Sequence, residues 1–240
     1  MNVKNRSGNV LFLILIAVAL FAALSYAVTS STRGGDSSIS KDKARTDAAA
    51  IIQYTASLRS AITRMRAAGC TENEIDFQST VFQRNNGTAI DAANSNAPAD
   101  GRCRLFSPSG GGIVPVVAPA SALEPPTAVA GNWKPGHYGL SVYQMKNIGT
   151  DAAAGTESAN DLFYQINMIK KETCMAINDL LGVTNPSGDA PARNSTGTVE
   201  QYINGSFSSN ATATGPYVDG KTEFCYKGTN YYYTSVLVAR

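Results

Sequence analysis

The sequence predicts an α+β fold, in which helical segments are followed by antiparallel strands. Apolar residues recur at intervals of three and four in segments 38–68 and 161–181, which is the spacing of one helix face. Other segments are rich in Val, Thr, Tyr and Phe and are bounded by Gly and Asn, as strands usually are. The predicted strands are 138–145, 198–207, 221–226 and 230–238.

An apolar run near the N-terminus is the most informative segment. Residues 10–28 carry no charged side chain, and as a helix they would span about 28 Å, close to the roughly 30 Å hydrocarbon core of a bilayer. Lys4 and Arg6 precede the run, so the positive-inside rule leaves the N-terminus in the cytoplasm and the chain beyond residue 29 outside. The segment is therefore predicted to cross a membrane.

A cleaved signal peptide is the competing interpretation of this run. Ser25 and Ala27 are small residues at the two positions that a signal peptidase reads, so cleavage after Ala27 would fit. The run is longer than the usual 7–15 apolar residues of a signal peptide. Its length favours retention as a membrane anchor.

Residues 9–69 are predicted to form a stem, with a basic leader at 1–8. The second half of the stem is amphipathic, with one apolar stripe. Gly34 and Gly35 predict a break, because each glycine costs a helix about 1 kcal/mol relative to alanine. Gly69 is predicted to end the helix. The stripe comprises Ala44, Ala48, Ile51, Ile52, Leu58, Ile62 and Met65.

Residues 70–240 are predicted to form a periplasmic or extracellular head, which is long enough to bury a core of its own. Its helix at 161–181 has Asn160 as candidate N-cap and Gly182 as candidate C-terminal stop. Residues 227–229 are predicted to be the loop of a terminal hairpin. The head is thus one α+β domain.

Four cysteines follow the apolar run, and their even number fits an oxidising compartment. No CxxC pair occurs, which excludes a zinc ribbon or a thioredoxin-type site. Four cysteines allow three pairings, of which we favour Cys70–Cys103 and Cys174–Cys225; four reduced, buried thiols are the alternative. Each disulfide would add about 3–4 kcal/mol in the chain-entropy model.

The residues that usually carry catalysis are scarce. Charged residues make up 16% of the chain, the net charge is +2, and His137 is the single histidine. No nucleophile, phosphate-binding or metal-ligand motif occurs, and a lone loop histidine is more often a packing or surface group. The sequence predicts a protein that is not an enzyme, without a cofactor, a metal site or a nucleic-acid partner.

Three consecutive tyrosines lie on the terminal hairpin. Strand alternation would direct Tyr231 and Tyr233 to one face and Tyr232 to the other. Cross-strand packing is the preferred interpretation. Contact of one set with a partner or a surface is the alternative.

The N-terminus resembles the class III leader of type IV pilins and pseudopilins: MNVKNRSG is basic and ends in Gly8, directly before NVLFLILIAVALF. The resemblance implies that a prepilin peptidase cuts after Gly8, so that Asn9 becomes the first residue, and that the apolar helix stays in the protein. Asn9 stands where the family usually has Phe or Met, and Leu13 stands where it usually has Glu. The difference at Leu13 favours a minor or tip-located subunit over a major one.

The expected function is that of a structural subunit in a pilus-like filament or a secretion pseudopilus. The resemblance implies sibling subunits, the prepilin peptidase and an inner-membrane assembly platform with its ATPase as partners. It places the stem in the inner membrane with the head in the periplasm, or in an extracellular filament. The alternative is a secreted or membrane-anchored domain that does not polymerise and binds a ligand through loops 85–136 and 184–220.

Overall fold

The computed structural model describes residues 7–83, 93–125, 134–148 and 159–240. The chain divides into two compact units, Met1–Lys43 and Ala44–Arg240. The described residues of the first unit form the N-terminal part of helix α1 (Ser7–Ala67). The second unit contains the rest of α1 and the other helices and strands of the described residues. The α+β class predicted from the sequence is confirmed.

Helix α1 differs from the prediction at Gly34 and Gly35, where it continues without a break. Glycine weakens a helix without preventing it, because it reaches helical torsion angles and keeps its backbone hydrogen bonds. Each residue added to an existing helix gains a hydrogen bond, which offsets this cost. The helix ends at Ala67, and Gly69, the predicted stop, follows with a φ of +99°, outside the range of a right-handed helix.

The apolar stripe of α1 belongs to the second unit and packs on the rest of that unit. Leu58, Ile62 and Ala48 are almost completely buried against the sheet, and Ile52 is half-buried at the edge of the same cluster. The stripe positions fall one helical turn apart, so a single face of the helix is covered. The predicted amphipathic half of the stem is therefore confirmed as a core element.

A mostly antiparallel sheet forms the centre of the second unit. Its strands are β1 (Tyr138–Met145), β2 (Asp161–Ile166), β3 (Asn194–Thr196), β4 (Glu200–Gln201), β5 (Thr212–Thr214), β6 (Glu223–Lys227) and β7 (Tyr231–Val238). Their order is β3-β5-β1-β2-β7-β6, with β4 also beside β1. The one parallel pairing in the described residues joins β1 and β5. The helix α2 (Lys171–Leu181) lies between β2 and β3 in the chain.

The prediction of one helix over 161–181 is wrong for residues 161–170: residues 161–166 are strand β2, and the helix begins only at Lys171. Both faces of β2 are buried, so its apolar residues form a continuous run that matches helical spacing as well as strand spacing. Met168, with φ of +59°, interrupts the backbone before α2 begins. Asn160 is not an N-cap; its Nδ2 donates to the carbonyls of Phe207 and Ser209. Gly182 does end α2, in the left-handed conformation.

The predicted strand 198–207 is also wrong for most of its length. Only β4 is extended there. Asn204 and Gly205 both have positive φ, and they form a turn that ends the strand pattern. By contrast, β1 has the predicted bounds, and β6 and β7 form the predicted terminal hairpin.

The core has two layers, one on each face of the sheet. The inner layer joins α1 and α2 to one face through residues such as Leu140, Tyr164 and Tyr233. The outer layer lies on the opposite face, around Tyr143, Phe163 and Phe224. In that outer layer the sheet face is covered by irregular segments around residues 183, 199 and 218. We call this face of the sheet the outer face.

Candidate functional site

The first unit exposes an apolar helix surface. Leu20 and Phe21 are 65% and 75% exposed. Burial of one large apolar side chain contributes about 1.5–3 kcal/mol, so such a surface is a strong candidate for contact with lipid or with other apolar helices. The exposed large side chains of this stretch are Ile14, Leu15, Ile16, Val18, Leu20 and Phe21. We call these residues the apolar stem surface.

No helix within the described part of the chain is long and apolar enough to qualify as a membrane span. Within the predicted span of 10–28, side chains are described only at residues 14–23 and 25. The membrane crossing of this segment stays a prediction.

The predicted processing site lies at the start of α1. Gly8 and Asn9 belong to its first turns, and their side chains are not among those described. The leader residues 1–6 lie outside the described residues. Cleavage after Gly8 therefore stays a prediction.

Both favoured disulfides are present. Cys70 pairs with Cys103 and joins the end of α1 to the loop that follows, with Cα atoms 5.7 Å apart. Cys174 pairs with Cys225 and joins α2 to β6, with Cα atoms 5.3 Å apart. All four cysteines are buried. One disulfide thus joins the C-terminal end of α1 to the following loop, and the other joins α2 to the sheet.

The three tyrosines of the hairpin alternate between the faces as predicted. Tyr233 is fully buried in the inner layer, with Tyr231 at the edge of that layer. Tyr232 packs on the outer layer, where its ring stacks on Tyr226 with centroids 5.2 Å apart. Tyr233 cannot be a surface contact, because its side chain has no solvent access. Tyr231 and Tyr232 are half-buried, so cross-strand packing accounts for them.

A polar network joins α1 to the terminal hairpin within the inner layer. Arg59 forms an ion pair with Glu223 at 2.8 Å. The Tyr233 hydroxyl bonds both Glu223 and the Thr55 Oγ1, the latter at 2.8 Å. Burial, and next the Glu223 carboxylate, raise the pKa of Tyr233 well above its usual value. These four side chains fix how the helix rests on the hairpin.

His137 has a structural role. The backbone N–H of Gln83 donates to its Nδ1 at 2.9 Å, and its ring contacts Phe82 edge-on. Burial, and to a smaller extent the Lys134 ammonium, lower the pKa of His137. A neutral imidazole can accept this hydrogen bond at Nδ1, and the bond joins the chain around residue 83 to the chain around residue 137.

One apolar groove lies beside α1, and only residues 116–119 of its lining belong to the loops 85–136 and 184–220 of the alternative hypothesis. Its walls come from Ala50, Tyr54, Val116 and Tyr164, among others. The Tyr54 hydroxyl is already engaged, since it donates to the Val114 carbonyl and accepts from the Val116 N–H. Residues 84–92 and 126–133 of the same hypothesis lie outside the described residues.

Within the described ranges, no group of three or more His, Cys, Asp or Glu side chains is placed to hold a metal ion. A comparison of the chain with known protein families, with characterised proteins and with solved structures finds no match.

Proposed function

We propose that the chain is a structural subunit of a type IV pilus-like filament or of a secretion pseudopilus, assembled through its apolar N-terminal helix. The apolar stem surface carries this proposal. Six large side chains are exposed along two turns of one helix, and water is a poor solvent for them. A bilayer before assembly, and the helices of sibling subunits after it, would each cover this surface.

The organisation of the second unit supports the same function. The C-terminal part of α1 packs on an antiparallel sheet, so the helix that carries the apolar surface also forms part of the folded head. Two disulfides in the head favour a location outside the cytoplasm, where such bonds persist. Localisation in the inner membrane with a periplasmic head, or in an extracellular filament, follows from the proposal.

The proposed partners follow from the proposed assembly. Sibling subunits would supply the apolar helices that cover the stem surface. A prepilin peptidase would remove the leader after Gly8, and an assembly platform with its ATPase would extract the helix from the membrane. Within this proposal the chain acts by assembly and needs no catalytic group or cofactor.

The mature N-terminus tests the proposal. Intact-mass and N-terminal peptide measurements on protein purified from its native membrane should give Asn9 as the first residue. Gly8→Ala should leave the leader attached, because the peptidase reads the residue before the cut. Ala27→Leu is the matched control, since it disrupts a signal-peptidase site and should leave the Asn9 terminus unchanged.

Assembly is the second readout. Wild-type protein should sediment with sheared filaments or cross-link to sibling subunits, and Gly8→Ala protein should remain in the membrane fraction. A mature protein that begins at Val28 and sediments as a free monomer would overturn the proposal and favour the secreted ligand-binding alternative. An uncleaved, membrane-bound monomer that begins at Met1 would also overturn it, in favour of an anchored binding domain.

A further inference from the structure

A half-buried cation, Arg193, lies on the outer face of the sheet without a carboxylate partner. The guanidinium carbon of Arg193 lies 4.2 Å from the ring centroid of Tyr226 and 4.9 Å from that of Tyr143. Its Nε and Nη1 atoms are inaccessible to solvent and have no hydrogen-bond partner. None of the ion pairs in the described residues includes Arg193. The tyrosine rings are therefore the principal contacts of this charge.

The two rings are held rigidly in place. Tyr143 stacks on Phe163 with centroids 3.9 Å apart and the ring planes nearly parallel. Tyr226 stacks on Tyr232 at 5.2 Å. The Tyr143 hydroxyl also contacts the Thr234 hydroxyl at 3.2 Å. Rings held by such stacking form a preorganised surface for a flat cation, so little conformational freedom is lost when a cation binds. We call Tyr143 and Tyr226 the tyrosine pair.

The chemistry of the tyrosine pair selects a particular class of cation. Electron-rich ring faces attract a positive charge without a counter-ion, and they do so best when the cation is weakly hydrated. A guanidinium group is flat, delocalised and more weakly hydrated than an ammonium group. An ammonium group is a compact, strongly hydrated charge and cannot lie flat against both rings. The site therefore favours guanidinium-type cations.

Arg193 belongs to residues 189–196, which we call the strap and which run from a contact with edge strand β6 to the strand β3. The start of the strap is held by the Lys227 N–H, which donates to the Pro191 carbonyl at 2.9 Å, and by an ion pair between Asp189 and Lys227. The end of the strap is β3, whose three residues are all exposed and pair only with β5. Arg193 lies between these two parts and is the strap side chain inserted over the tyrosine pair.

We propose that the tyrosine pair is a binding site for a guanidinium-type cation, that Arg193 of the same chain occupies it, and that this contact latches the strap, with the β3–β5 edge, onto the outer face. The proposal does not depend on the assembly function. The latch uses a charge that persists at every physiological pH, and two of its guanidinium nitrogens, Nε and Nη1, are shielded from solvent. It should hold at salt concentrations that weaken the exposed Asp189 ion pairs.

Hydrogen exchange in Arg193→Ala tests the latch, with small molecules replacing the missing side chain. Amide exchange in β3 and β5 should rise at least tenfold in the variant, while β2 and β7 keep wild-type rates. Methylguanidinium at about 20 mM should restore most of the lost protection by refilling the site. Methylurea, which has nearly the same shape and no charge, should restore none.

The rescue decides the outcome. Restoration by methylguanidinium alone supports the proposal. Unchanged exchange in the variant, no rescue, or equal rescue by methylurea would overturn it. If Arg193→Ala does not fold, Arg193→Lys replaces it, since it keeps the charge and most of the length of the side chain and loses the flat guanidinium. Exchange in β3 and β5 should then be at least threefold faster in Arg193→Lys than in the wild type, and wild-type rates in this variant would overturn the proposal.

Discussion

The side-chain amide of Asn178 forms two hydrogen bonds with the backbone of Cys225. Asn178 Nδ2 donates to the Cys225 carbonyl at 2.9 Å, and the Cys225 N–H donates to Asn178 Oδ1 at 2.8 Å. Cys174, one helical turn before Asn178, forms the disulfide with the same cysteine. One residue of edge strand β6 is thus joined to α2 by a covalent bond and two hydrogen bonds. The amide thus occupies two backbone groups of an edge strand that another chain could otherwise pair with.

Replacing Asn178 by alanine should therefore destabilise the head markedly. Both backbone groups of Cys225 would be left buried without a partner, and each such group costs about 1–3 kcal/mol. We expect a loss of about 2–4 kcal/mol in the free energy of unfolding, measured by urea denaturation. Asn194→Ala is the control, because Asn194 is exposed on β3, and its effect should stay within about 0.5 kcal/mol. Equal stabilities of the two variants would contradict the edge-covering role.

The two disulfides should contribute similar amounts to stability. Their sequence separations are 33 and 51 residues, and loop-closure entropy depends only weakly on length. The chain-entropy relation gives about 4 kcal/mol for each. Double replacement by alanine, Cys70 with Cys103 or Cys174 with Cys225, should lower the free energy of unfolding by that amount. A loss below about 1 kcal/mol for either pair would show that its unfolded state is already constrained.

Features that depend on local composition could be predicted from the sequence, whereas contacts between residues far apart in the chain could not. The pairing of Cys70 with Cys103 could be predicted because few combinations exist. The amide of Asn178 could not, since its partner lies 47 residues away and a single polar residue on a helix has no periodic signal. Arg193 is similar: it follows a proline-rich loop and pairs with rings on two separate strands. The strand β2 was missed because a segment buried on both faces has no alternation.

Acid should weaken the attachment of the strap through Asp189. The Lys227 ammonium, and next the Tyr231 hydroxyl, lower the pKa of Asp189 from 3.8 to about 2. Because the folded-state pKa lies below the unfolded value, this carboxylate stabilises the fold above about pH 4, and its contribution is lost as the pH falls towards 2. The Asp189 carboxyl signal in an NMR titration should give this low midpoint.

Lys227→Met should raise the pKa of Asp189 towards its ordinary value, since it removes the Nζ–Oδ2 contact of 2.7 Å. Lys171→Met is the matched control, because its Nζ lies 3.7 Å from the same carboxylate and should shift the pKa less. Equal shifts in the two variants would mean that net charge, and not the hydrogen bond with Lys227, sets the acidity of Asp189.

Two adjacent tyrosines allow a direct comparison of a buried and a half-buried hydroxyl. Tyr233→Phe removes the bonds to Glu223 and Thr55, and hydrogen bonds to a charged group contribute about 1.5–3 kcal/mol. We expect a loss of about 2 kcal/mol in the free energy of unfolding at pH 7. Tyr232→Phe is the same substitution one residue earlier, outside this network, and should cost less than about 0.5 kcal/mol.

The variants Tyr233→Phe and Tyr232→Phe should also differ in how their stability depends on pH in alkaline solution. Because burial raises the pKa of Tyr233 above the value of 10 in the unfolded chain, its protonated form stabilises the fold below pH 10. That contribution declines as the pH rises further, by about 1.4 kcal/mol for each pH unit. Between pH 10 and 11 the wild type and Tyr232→Phe should therefore lose stability faster than Tyr233→Phe, as measured by urea denaturation. Parallel pH profiles for all three proteins would mean that Tyr233 ionises in the folded state as readily as in the unfolded chain, and that its bond to Glu223 is not maintained in solution.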